Sequence, residues 1–154
     1  MKHLALQNNP IFTDLSVLVL VGGSENDWRQ KFRDDGNDFF EAAVAGEVKT
    51  MGNGFVGNAK FMQLYREGWT GGDCPLILIQ FSSDLFDTAF APDLFACGVI
   101  CHESLHAAQH IMEHYEIPYH EKEFFARIQQ WLFTAISEWV YENFLQDDER
   151  MKDK

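Results

Sequence analysis

Hydrophobic and polar positions along the chain alternate between short apolar blocks and longer stretches with helical spacing. "LSVLVLV", residues 15–21, is a block of Val and Leu closed by Gly22 and Gly23, the signature of a buried strand that ends in a turn. "LILIQF", residues 76–81, reads as a second strand opened by Cys74 and Pro75. Between them, residues 26–50 carry mixed helical signals, and residues 51–73 are punctuated by glycine, which predicts a loop, hairpin or short helix.

The second half is helical in pattern. Pro92 suits a first helical turn, and from Asp93 to about Tyr115 only Gly98 disfavours helix. "LFACGVI", residues 94–100, is apolar nearly all round, which predicts a central, buried helix. Ile117 and Pro118 end it. A last helix is expected from about Glu121 to Phe144, with Phe124, Phe125, Ile128, Trp131, Leu132, Ala135, Ile136 and Trp139 forming a broad stripe that faces the core. The expected organisation is one domain over residues 1–146 and a charged tail over 147–154.

Composition narrows the class. The 154 residues can bury a sizeable core, and 14 Phe with 4 Trp supply large side chains for it, which argues against disorder. A formal charge of -12 repels nucleic-acid phosphates and anionic lipids, so direct binding to DNA, RNA or membranes is disfavoured and a basic protein partner is favoured. No apolar stretch approaches the roughly 20 residues of a membrane span, and residues 15–21 lack the features of a signal peptide. Cys74, Cys97 and Cys101 have no disulfide-framework spacing. They read as buried thiols in a reducing, cytoplasmic compartment.

The candidate chemistry lies in "CHESLHAAQH", residues 101–110, which contains His-Glu-x-x-His as His102, Glu103 and His106. With His at 6 of 154 positions, such a match arises by accident in roughly 0.02 chains of this composition. On a helix, residues four apart lie one turn above each other, so His102 and His106 can address one ion. Glu103, about 100° round the axis, is badly placed as a ligand but able to reach a water on that ion. Zinc brings the pKa of such a water toward roughly 7, and the carboxylate can take its proton and deliver it to a leaving amine. A catalytic site needs a third protein ligand.

"HESLHAAQHIMEHYEIPYHEKEFFARIQQWL" resembles the core of a gluzincin-type zincin, and also small bacteriophage proteins in which a short strand, an HExxH helix followed by Ala-Ala, an Ile-Pro-like turn and a Glu-x-x-Ala helix follow one another. The likeness covers roughly residues 74–132, and its specific part is the HExxH motif. It implies an α+β, zincin-like fold in which a small sheet packs on a central HExxH helix and a long C-terminal helix, one zinc ion per chain, and peptide or amide hydrolysis. His102 and His106 become zinc ligands, Glu103 the general base, and Glu123 the third ligand. Glu121, His120 and His110 stay open as alternatives to Glu123, since Glu121 lies nearer the centre of the apolar stripe. Met112 occupies the position where a metzincin has its third histidine, which excludes that class.

Stabilising an oxyanion needs a further group, for which Tyr119, His120, His114 and Arg127 are candidates, while His110 and His114 otherwise read as solvent-facing or supporting histidines. "LILIQF" has two readings, an edge strand that pairs with an extended substrate and a core strand. "GNGFVG", Gly52 to Gly57, lacks the strand before it and the acid after it that a dinucleotide loop requires. Cys97 and Cys101 read as inert buried thiols, and Asp34, Asp35 and Asp38 as a solvated turn. Three functions compete: a zinc metallopeptidase acting on a peptide or protein, a metal-binding scaffold serving as a phage accessory or assembly factor in the host cytoplasm, and an acidic inhibitor of a host nucleic-acid-binding protein.

Overall fold

The computed structural model describes residues 1–7, 9, 11–49, 56–64, 74–86 and 94–145. They form an α+β protein with a mixed four-stranded sheet and four α-helices among the described residues. The chain divides into two compact units, Met1–Phe81 and Ser82–Lys154.

The first unit contains β1 (Lys2–Leu6), β2 (Ser16–Val21), α1 (Glu25–Asp34), α2 (Asp38–Val44), β3 (Gly57–Leu64) and β4 (Cys74–Phe81). Strand order is β1-β2-β4-β3. β2 and β4 run parallel in the centre, with Ser16 opposite Leu76 and Val21 opposite Phe81, and each has an antiparallel edge strand beside it. Every residue of β2 and β4 is buried, which is why both read as unbroken apolar runs rather than as alternating strands. β4 has both edges paired, so it is a core strand, and the reading of "LILIQF" as a substrate-binding edge is corrected.

Leu18, Leu20, Leu76 and Leu78 present one sheet face to Trp28, Phe32, Phe40, Ala43 and Val44 of α1 and α2. Ser24 caps α1 reciprocally with Asp27, and this bonding holds the Asp27 carboxyl below its ordinary pKa. The Gly22–Gly23 turn has positive φ at both residues, and a Cβ on Gly23 would lie 2.7 Å from the Trp28 indole nitrogen. That nitrogen donates to the Gly22 carbonyl at 2.7 Å, so the turn, the strand before it and the helix after it are tied together.

The second unit contains a 3-10 turn (Ser83–Phe86), α3 (Leu94–His114), α4 (Lys122–Val140) and a π-helical turn (Tyr141–Leu145). α3 buries one face, made by Ala96, Ile100, Glu103, Ser104, Ala107, Ala108, Ile111 and Met112. It is not buried all round as expected: Leu94 is 92 % and Phe95 63 % exposed. Pro92 and Asp93, the expected start of this helix, lie outside the described residues, as does the tail. α4 buries Ile128, Leu132, Ile136, Trp139 and Val140 along the expected stripe.

Between them α3 ends in a Schellman closure. Ile117 N–H donates to the Met112 carbonyl at 2.9 Å and Glu116 N–H to the Glu113 carbonyl at 3.2 Å. Glu116 itself is left-handed, with φ of 54°. No helix among the described residues is long and apolar enough to cross a membrane.

Candidate metal centre

α3 carries His102 and His106 one turn apart, and their rings meet edge to face with centroids 4.5 Å apart and planes at 85°. Their Nε2 atoms approach to 3.0 Å. His102 is exposed and His106 half-buried, so the pair lies at the boundary of the helix's solvent-facing side. His106 Nδ1 lies 3.2 Å from Gln109 Oε1, three residues on. Gln109 was not singled out from the sequence, although its i,i+3 spacing from His106 is the one that brings helix side chains together.

Glu103 points the other way round the helix and is buried, 6 % exposed. Burial raises its pKa above the ordinary carboxylate value, against the smaller opposing pull of His102 and His106. A carboxylate with a heightened proton affinity therefore sits next to two converging imidazoles.

The remaining candidates are engaged elsewhere. Glu123 is exposed and accepts from Arg127 Nε at 3.0 Å, an i,i+4 pair on α4. Glu121 precedes α4, its Oε1 lying 3.6 Å from His120 Nε2. Tyr119, 65 % exposed, donates to Glu113 Oε1 at 3.0 Å, and that carboxylate holds the phenol pKa above its ordinary value. His114 stacks edge to face on Tyr115, with centroids 4.6 Å apart. Among the described residues, no cluster of three His, Cys, Asp or Glu side chains is placed to hold one metal ion. His102 and His106 thus offer two converging imidazole nitrogens, while Glu123, Glu121 and Tyr119 are each held in another contact.

The cysteines differ from expectation. Cys74 is buried, but Cys97 is half-buried and Cys101 exposed. One face of α3 is buried rather than its whole circumference, and these two positions fall at the edge of it and beyond. Cys101 Sγ accepts from Gln129 Nε2 at 3.5 Å, a link between α3 and α4. The Gly52–Gly57 loop is described only from Val56, and Gly57 opens β3.

Comparison with known proteins finds no matching family model, no similar curated protein and no similar solved structure.

Proposed function

We propose that the chain is a zincin-like, zinc-dependent hydrolase of peptide or related amide bonds, with His102 and His106 as metal ligands, Glu123 as the third, and Glu103 as general base. The observation that carries this reading is the 3.0 Å approach of the two Nε2 atoms. Two nitrogens bound tetrahedrally to one zinc stand roughly 3.3 Å apart, given bonds of about 2.0 to 2.1 Å. A shift of a few tenths of an ångström would convert the pair into two ligands.

Glu123 is the third donor that the resemblance points to, and its present partner holds it weakly. An exposed i,i+4 carboxylate–guanidinium pair is worth about 0.3 to 0.5 kcal/mol, and Glu123 and Arg127 are both largely exposed.

Bound zinc would supply a Lewis acid that polarises the scissile carbonyl and acidifies a water. Glu103 would serve as the proton carrier, its carboxylate accepting a proton from the attacking water and delivering it to the departing amine nitrogen. Its raised pKa suits both steps: a carboxyl shifted toward the working pH holds a proton longer and still releases it.

Elemental analysis of the purified chain tests the metal, with near one zinc per chain expected and its loss in His102→Ala. Peptide hydrolysis that survives Glu103→Gln would end the catalytic assignment. The engagement of Tyr119 with Glu113 and of Arg127 with Glu123 favours one second reading, a metal-binding scaffold that contacts a protein partner without hydrolysing it. In that case zinc binds with the same stoichiometry, and Glu103→Gln leaves partner binding unchanged.

A further inference from the structure

We infer that Gln109 is a positioning residue that locks His106 in its Nδ1–H tautomer and so keeps the Nε2 lone pair turned toward the point it shares with His102. The inference rests on the reading of His102 and His106 as metal ligands.

The polarity of the contacts is determined by one oxygen. Gln109 Oε1 can only accept, and it lies 3.2 Å from His106 Nδ1, so that nitrogen donates. A neutral imidazole has one N–H, which leaves His106 Nε2 as an acceptor. The 3.0 Å contact between the two Nε2 atoms then has one direction, His102 Nε2–H into His106 Nε2. Gln109 has no other hydrogen-bond partner among the described residues, so nothing else competes for its oxygen.

The two histidines are therefore unequal. His106 already has the form that binds a cation through Nε2. His102 carries its proton on the nitrogen that faces the site, and a cation arriving there requires that proton to leave Nε2. The ring is exposed, so water can carry the proton across to Nδ1, and charge on the imidazole is unchanged. Ligand nitrogens held by a hydrogen bond on the opposite ring nitrogen are better ligands, because the tautomer and ring orientation are set in advance.

Long-range proton–nitrogen correlation NMR on the full chain, stripped of metal and held where imidazoles are neutral, reads each ring nitrogen directly. Wild type is expected to show a protonated Nδ1 and a bare Nε2 at His106, and the reverse arrangement overturns the inference. Gln109→Leu is expected to release the tautomer, while Gln109→Glu, which keeps an acceptor on a good helix former, preserves it. Zinc competition with a chelating dye should find the leucine variant about 10- to 100-fold weaker and the glutamate variant no weaker than wild type. An unchanged His106 tautomer in Gln109→Leu also overturns the inference. The expected tautomers in a wild-type chain that takes up no zinc would uphold the role of Gln109 and end the zinc-hydrolase reading instead.

Discussion

Glu103 and His102 are consecutive in sequence, yet Glu103 is 6 % exposed while His102 faces solvent. The step of 100° per residue accounts for it. The helix turns His102 and His106 outward and carries Glu103 over to the flank that meets the apolar face of Ile100, Ala107 and Ile111. The motif thus combines a pair of imidazoles at the solvent boundary with a partly desolvated acid, the pairing that the proposed metal-assisted proton transfer would use.

That burial makes a prediction about pH. The folded-state pKa of Glu103 is raised by desolvation, so its protonated form is favoured in the fold. The associated stability is fully present below the ordinary carboxylate value of about 4.3 and is lost as pH rises through the folded value. Glu103→Gln removes this dependence. In metal-free protein, the melting temperature of the variant should gain on wild type as pH rises from 4 to 8, and a difference independent of pH would refute the burial argument.

The strands and long helices were legible because their physical causes are local. β2 and β4 appear as apolar runs since parallel central strands are buried on both faces, and α3 ends at His114, before Ile117 and Pro118, with α4 starting beyond them at Lys122. β1 was not anticipated. "KHLAL" is only half-buried, and pairing with β2 rather than its own pattern makes it a strand. β3 lies in the glycine-punctuated stretch whose pattern predicts a loop, hairpin or short helix, because its side chains are only partly buried at an edge. At the site, the His102–His106 pair follows from spacing alone. The Gln109 contact and the burial of Glu103 do not, because they depend on which flank of α3 is covered.

A second prediction concerns Gln80, whose side chain grips both backbone groups of Lys49. Lys49 N–H donates to Oε1 at 3.2 Å, and Nε2 donates to the Lys49 carbonyl at 3.4 Å. Gln80 is 3 % exposed on the central strand. Its amide extends the sheet's hydrogen bonding to the segment that leaves α2. Gln80→Leu should cost about 1 kcal/mol, the net worth of a hydrogen bond, since Lys49 is exposed and water can take up its backbone groups. Urea unfolding should show a lower midpoint with an unchanged slope.

Glu116 gives a third. It occupies the left-handed position of the Schellman closure, where a β-carbon costs about 1 to 2 kcal/mol and glycine is the usual occupant. Glu116→Gly should raise stability by about 1 kcal/mol after glycine's greater freedom in the unfolded chain is subtracted. For a chain of this length that is a rise of about 2 to 4 °C in melting temperature. A fall would mean that the strain is already offset by contacts of the Glu116 side chain.

The fourth prediction separates the carboxylates that compete for the metal. Glu123 and Glu121 are both exposed and paired with neighbours, at 3.0 Å from Arg127 Nε and 3.6 Å from His120 Nε2. Glu121 precedes α4, whereas Glu123 lies in its first turn. Zinc at 100 times its dissociation constant should stabilise wild type by about 2.7 kcal/mol, a gain readable by thermal melting in titrated zinc. Glu123→Gln should abolish most of that gain, and Glu121→Gln should retain it. Arg127→Ala frees Glu123 from its present partner, so it should strengthen zinc binding by about twofold, in keeping with the 0.3 to 0.5 kcal/mol of an exposed pair. Loss of the gain in Glu121→Gln alone would move the third ligand to Glu121 and leave the two histidines in place.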